Sequence, residues 1–503
     1  MTIACVALVG MPFAYGVLAA PEGMTYSGMH NSNSGDHGIY FSQMEQAASG
    51  KLLFYNLYTS EAHDPIIFNP VWLVLGLLSR LTGISVPIMF HLCRLLLIPF
   101  FAFTAWKFIG LLFTERRVRT ISFALIMFAG GWWGYAAATD ASPYHAMLFS
   151  PHLILSLSAL LWVFMLFLQA MRKGSHSNAI AAGAVACLLI LFHPYQASTI
   201  ALVLFLFGLW ETLSHKASLV RVASAAGWVG MLSLPAVAYY VWLFRSLPFG
   251  RVWLFQSDLL NLMDNPLRLL FSFLPIVCFA GFGSILLWKS KHPYARFLII
   301  WLVVPIVFMP LPVFFRMRMS GGWLIPLACA AGVALSWAWE RTKKLMPMYI
   351  RVGAAICVGV LFFWANGVMT VVSLSVFVEQ LPQVYLPNDQ VALNAWIKTH
   401  VQEREPILAS WRVSNLLPGL TGRTVYVGHG IQTADADRKA QEAEWFFSSR
   451  GLVSEKQDFL QSAGIAYVVI TPLDPEFGSF RPEDISLLRK EFQAGGYAVY
   501  ALR

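Results

Sequence analysis

Long apolar runs dominate the chain. From the N-terminus to about residue 378, nearly uncharged stretches recur at the length that carries a helix across a bilayer core. About eleven crossings are predicted, near residues 3–20, 86–113, 118–138, 147–171, 178–193, 195–213, 222–245, 267–289, 295–313, 321–340 and 349–377. The run IIFNPVWLVLGLLSRL (67–82) is different: it is short, contains Pro70 and carries Arg80 near its end. It predicts a helix lying on the membrane surface. Ahead of it, Tyr40, Phe41, Met44, Ala47 and Ala48 fall on one helical face, with Gln43, Glu45, Gln46 and Ser49 opposite. An interfacial helix over 38–49 is expected, capped by NSNSGD (31–36) and ended by Gly50. Past residue 388 the pattern changes to short helical and β-branched runs in alternation, which predicts a small, mainly parallel α/β sheet. The fold class expected is a polytopic α-helical membrane protein with a C-terminal soluble α/β domain. The division is 1–378, with a first external loop at 21–85, and 379–503.

Composition supports the membrane reading: 57% of the 503 residues are hydrophobic, 12% are charged and mean hydropathy is +0.62. The charge gives orientation. Residues 379–503 hold 12 Lys/Arg and 15 Asp/Glu, so the basic excess lies in 1–378, which hold 23 Lys/Arg and 11 Asp/Glu. There the basic residues cluster in TERRVR (114–119), RKGSH (172–176), SHKASLVR (214–221), KSKHPYAR (289–296) and ERTKKLMPMYIR (340–351). Short basic loops stay cytoplasmic. That placement puts 21–66 outside if 67–82 does not cross, and it puts the C-terminal domain outside as well. Orientation then explains the net charge, and no nucleic-acid partner is expected. VLAA before Pro21 also resembles a signal-peptide cut, but a basic n-region is lacking and proline after the cut disfavours it. The loop is external in either reading. All six cysteines lie in apolar segments without a C-x-x-C, so disulfides and cysteine metal sites are not expected.

Eight of the eleven acids in 1–378 fall on the predicted outer side: Glu22, Asp36, Glu45, Glu61, Asp64, Asp140, Asp258 and Asp264. None lies mid-bilayer, which argues against an ion-coupled carrier. Chemistry is expected at the outer face. Asp36 suits a helix cap, and an acid held ionised at a helix N-terminus also suits a base.

The layout resembles the GT-C glycosyltransferases, membrane enzymes that use polyprenyl-phosphate sugars. The segment GDHGIYFSQMEQAASGKLLFYNLYTSEAHDPIIFNPVWLVLGLLSRLTGIS (35–85) resembles their opening: an acid, an amphipathic helix, a glycine, an H-x-P-like element and a short helix. The aminoarabinose and protein-O-mannosyl branches share this arrangement. The tail, with ILASWRVSNLLPGLTGRTVYVGHG (407–430), RKAQEAEWFF (438–447) and GIAYVVITPLD (464–474), resembles the external domain of many bacterial members. The resemblance implies a bacterial inner-membrane enzyme, a polyprenyl-phosphate sugar donor and an extracytoplasmic acceptor. Asp36 matches the first-loop catalytic acid, which acts as general base in an inverting attack. Asp140, in TDASPYHAM, falls where many members hold a second acid, although here the neighbour is Ala141 rather than another acid. Glu61, His63 and Asp64 offer ligands for a divalent metal, or form a solvated turn closed by Pro65. Arg316 and Arg318, which break the positive-inside trend, are the leading candidates for the lipid phosphate. Arg94 serves that phosphate, pairs with an acid or snorkels; Lys51 and Arg251 are further basic candidates. His193 and Tyr195, in FHPYQ, contact the donor or are structural. GHG (428–430), with Trp411 and Arg412, lines the acceptor face or forms a turn. Set against the enzyme is a non-catalytic glycolipid binder or transporter whose external domain binds a partner. No P-loop, G-x-G-x-x-G or G-x-S-x-G motif is present.

Overall fold

The computed structural model describes residues 1–29, 34–132, 141–247, 250, 266–311, 316–379, 381–472 and 481–503. Two compact units are each assembled from three stretches of chain. One comprises Met1–Pro12, His91–Trp242 and Phe255–Val372; the other comprises Phe13–Phe90, Leu243–Leu254 and Ser373–Arg503.

The first unit is helical, and its helices coincide with the apolar runs. Among the described residues, Val86–Leu112, Pro151–Lys173, Gln196–Leu213, Leu219–Ser246 and Met348–Val378 are long and apolar enough to cross a membrane. Thr2–Leu18, His176–Phe192, Leu274–Lys289 and Ala295–Phe308 are shorter apolar helices. Two expected runs are broken. The 147–171 run divides into Pro143–Phe149 and Pro151–Lys173, because Pro151 forces Ser150 into an extended conformation. The 267–289 run divides at Phe273, where Pro275 cannot donate the bond that continuity requires. Small residues let backbones meet: a Cβ at Gly283 would fall 1.9 Å from the carbonyl oxygen of Ala330. The acids of the basic loops are paired within this unit. Arg296 reaches Glu211 at 3.1 Å, Lys343 reaches Glu340 at 2.8 Å, and Ser336 donates to Glu115 at 2.9 Å.

In the second unit the first-loop helix runs Ser34–Ala48, four residues earlier than its apolar pattern predicts. Asp36 therefore lies inside the first turn rather than ahead of it, where a carboxylate complements the exposed N–H groups. Gly50, at φ 100°, follows its end. The surface run becomes the helix Pro70–Thr82, capped by Asn69, whose side chain accepts from Val71 N at 3.0 Å. The Ser34–Ala48 helix packs on Pro70–Thr82 and on the short helix Leu417–Thr421. It is covered on more sides than an interfacial helix, and Gln46, expected on the polar face, is buried. Its amide binds the Tyr55 backbone at both ends, accepting from N at 2.8 Å and donating to O at 3.1 Å.

Two sheets complete this unit. Strands β1 (Met24–Tyr26) and β2 (Tyr385–Pro387) pair antiparallel. Strands β3 (Ile407–Leu408), β4 (Tyr467–Ile470), β5 (Leu488–Ala494) and β6 (Tyr497–Leu502) form a sheet in the order β3-β4-β6-β5. Only β3–β4 is parallel, which corrects the expectation of a mainly parallel sheet. The reason is the C-terminal hairpin: β5 returns as β6 through Gly495–Gly496, and a two-residue loop can join only antiparallel strands. The run RTVYVG contributes a single bridge, Val425 to Ile407. The Asn388–His400 helix packs on one side, with Leu393 and Ile397 against Val469 and Val499. Ala436–Phe447 and Val453–Ser462 pack through Phe446 and Leu460 against Val468. First-loop Tyr58 is buried in the Leu393 cluster with Val413, Leu417 and Val425.

Candidate active site

The sequence-derived candidates fall into two groups, one in each unit. In the second unit Asp36 is half-buried at the start of its helix. Three glycines let C-terminal segments approach that turn. A Cβ at Gly38 would lie 2.4 Å from Tyr58 Oη, one at Gly419 would lie 2.8 Å from Gly38 Cα, and one at Gly35 would lie 3.1 Å from His429 Nε2. Tyr58 donates to the backbone oxygen of Asn415 at 3.2 Å, and its ring meets the His429 ring edge-on at 5.8 Å. Burial raises the Tyr58 hydroxyl well above the ordinary phenol range, and the Asp36 charge raises it further. Tyr58 is thus a neutral donor beside an acid. Burial also pushes the His429 imidazole down to about 4, so it is neutral at pH 7. The GHG motif, singled out in the sequence, therefore sits against the turn that carries Asp36. His37 is buried, with Phe90 at 5.5 Å and Phe41 at 6.0 Å.

The other first-loop candidates are engaged. Lys51 pairs with Glu403 and lies over the Tyr55 ring at 5.0 Å. Glu61 pairs with Lys439 at 2.6 Å and accepts from Thr59. Burial alone would raise the Glu61 carboxyl, but these hydrogen bonds and the Lys439 charge hold it below its usual range. His63 Nε2 accepts from Asn56 N at 3.0 Å, and its Nδ1 lies 2.8 Å from the Glu61 carbonyl oxygen. With both ring nitrogens engaged and Glu61 paired, His63 and Glu61 do not present a metal-ligand set with Asp64. Among the described residues, no three His, Cys, Asp or Glu side chains come together for a metal.

In the first unit, His193, Tyr195 and Arg318 come together. The Arg318 guanidinium lies over the Tyr195 ring at 5.2 Å, and the rings of His193 and Tyr195 meet at 5.4 Å. His152 joins them, 5.8 Å from His193, with its Nδ1 bonded to Ser150 Oγ at 2.6 Å. Gln196 Oε1 and Thr199 Oγ1 are buried nearby on the next helix without a hydrogen-bond partner among the described residues. A Cβ at Gly321 would lie 2.8 Å from Gln196 Nε2, so this glycine brings the Arg318 turn against the amide. His152 was missed by sequence reasoning, but a signal exists: SPH (150–152) and FHP (192–194) each put a histidine beside a proline at a helix end.

Arg94 is elsewhere in this unit, fully buried, with Nη1 donating to Met147 O at 2.7 Å and Val9 O at 3.2 Å. Its position and bonds are those of a group that ties three segments together. Asp140, Arg251 and the Arg316 side chain lie outside the described residues, although Ala141 O accepts from Leu324 N at 3.2 Å.

This architecture is the GT-C fold of membrane glycosyltransferases. Solved structures with the same fold include the oligosaccharyltransferase of Archaeoglobus fulgidus in its apo form, with a TM-score of 0.58 at 12% identity over 93% of this chain and 69% of that one. The same archaeal enzyme, AglB, in complex with an inhibitory peptide and a dolichol-phosphate, gives 0.55 at 12% identity over 100% and 74%. ArnT from Cupriavidus metallidurans, in the apo state, gives 0.53 at 15% identity over 99% and 97%. No family model matches the chain, and neither does any curated protein.

Proposed function

We propose that the protein is a membrane glycosyltransferase that moves a sugar from a polyprenyl-phosphate-linked donor to an extracytoplasmic acceptor. The observation that carries this reading is the placement of Asp36. It stands in the first turn of the first-loop helix, where the exposed N–H groups complement a carboxylate, and is bordered by neutral polar groups, within a fold shared with enzymes of this class. One of those enzymes was solved with a dolichol-phosphate, which supports a lipid-phosphate donor here.

In the proposed step the acceptor's hydroxyl or amine proton passes to the Asp36 carboxylate. The freed lone pair attacks the anomeric carbon, and the bond to the lipid phosphate breaks with its electron pair leaving on the phosphate oxygen. Inversion follows from attack opposite the leaving group. Arg318, with Arg316, is assigned to the lipid phosphate, and His193 and Tyr195 support it. Asp140 is kept as the second candidate acid. No step is routed through a metal, because Glu61 and His63 are already engaged. The protein is placed in the bacterial inner membrane, with about eleven crossings, basic loops inside and the C-terminal domain outside.

Substituting Asp36→Asn tests the assignment. Transfer from a radiolabelled polyprenyl-phosphate sugar in membranes of the source organism should fall by at least ~100-fold, the low end of what a positioned base contributes. Membrane insertion should be unchanged. Full activity in that variant would overturn Asp36 as the base; no transfer by the wild-type protein, with lipid-linked sugar bound unchanged, would make it a glycolipid binder or carrier instead.

A further inference from the structure

The segments at 415 and 429 are far from the first loop in sequence, yet they close around its first helical turn. Gly35, Gly38 and Gly419 remove the side chains that would keep them apart. The close approach brings polar atoms of His429 and Asn415 to the turn that bears Asp36. His429 Nδ1 accepts from the Ile431 N–H at 3.2 Å, which fixes the ring proton on Nε2. The ring edge formed by Cδ2 and Nε2 faces Gly35, at 3.0 and 3.1 Å from where its Cβ would be, and no protein group among the described residues bonds to Nε2. Asn415 uses its backbone oxygen to hold Tyr58, while its side-chain Oδ1 is buried without a partner among the described residues. Its Nδ2 lies 3.5 Å from where a Gly35 Cβ would be. The C-terminal segments thus offer one N–H donor and one amide against the helical turn that carries Asp36.

The geometry points to His429 and Asn415 as the acceptor-recognition pair, binding an uncharged group that both donates and accepts hydrogen bonds, a hydroxyl or an amide. This rests on Asp36 as the base and deepens that reading. His429 Nε2–H and the Asn415 amide are both uncharged, so the pair matches a neutral polar group, and a carboxylate is disfavoured near Asp36. His429 is a positioning residue: it orients the acceptor while the proton goes to Asp36. Sequence spacing alone does not show the pair, since His429 lies 394 positions beyond Gly35.

The test uses the full-length protein in detergent with a radiolabelled polyprenyl-phosphate sugar and, as acceptor probe, a delipidated envelope extract of the source organism, titrated. His429→Ala should raise the apparent KM for the extract about three- to tenfold, the value of one neutral hydrogen bond, with donor KM and kcat unchanged. His429→Gln, which keeps an N–H donor, should restore most of that affinity. Asn415→Leu should raise the same KM. A His429→Ala protein with the wild-type KM and thermal midpoint overturns the proposal, and so does a change confined to kcat or donor KM. If His429→Ala does not fold, a His429→Gln protein that folds but loses acceptor affinity about tenfold overturns it equally. Failure of the Asp36 reading is separately visible as an Asp36→Asn variant that keeps its kcat at saturating extract.

Discussion

His429 and Arg94 show how the fold assigns different work to two buried polar groups. Burial moves His429 down from its ordinary 6.5 to about 4. Between those values the unfolded chain binds more protons than the native protein, so stability is constant above pH 6.5 and falls as pH drops towards 4. The loss through this one group is at most about 3 kcal/mol. Thermal midpoints of wild type and His429→Gln should therefore converge at acid pH, with wild type losing more between pH 7 and 4.5; parallel curves would contradict the burial. Arg94 holds two backbone oxygens of distant segments, Val9 and Met147. Arg94→Met should cost about 1–3 kcal/mol of stability by leaving buried carbonyls unpaired, whereas Arg318→Ala should lower the thermal midpoint less and weaken donor binding. Unfolding in detergent, followed beside donor KM, separates the two. Asp36, Arg318, His193 and Tyr195 are legible from sequence because each breaks a local pattern of charge or polarity. Tyr58, Asn415 and Lys439 break none, and their partners are supplied by remote chain.

At the scale of elements, the helices follow hydropathy and the deviations follow proline and glycine. Pro151 and Pro275 cut two predicted spans, and both cuts are visible once the residue before each proline is considered. The strand β5, LRKEFQA, was not legible: it is charged, and its apolar positions do not alternate cleanly. Pairing with β6 makes it a strand. Helix contacts make sharper predictions. At Gly76 a Cβ would lie 2.4 Å from Met44 O and 2.5 Å from Ala47 Cβ. Gly76→Ala should therefore destabilise by about 1–3 kcal/mol despite its better helix propensity. Gly227→Ala, where no described residue lies within 4 Å, should be neutral or stabilise by up to about 1 kcal/mol. Comparing the two thermal midpoints checks whether the first-loop helices are held by backbone contact.

At the scale of the whole molecule, charge distribution predicts sidedness. In a cysteine-free background, Lys216→Cys in a basic loop should react with a membrane-impermeant maleimide only after permeabilisation, while Gln461→Cys should react in spheroplasts directly. Reversed labelling would invert the topology. By itself the sequence determined the apolar helices, the charge asymmetry of their loops, the polar C-terminal region and the acid at the start of the first external helix. These are properties of neighbouring residues, and hydropathy, charge and capping act over a few turns. Tertiary structure alone decided that each unit is built from three separate stretches, that the terminal sheet is mostly antiparallel, and that His429 stands beside Gly35. Such pairings depend on which surfaces meet when distant apolar faces are buried together, and a glycine's missing side chain leaves no periodic trace of the neighbour it admits.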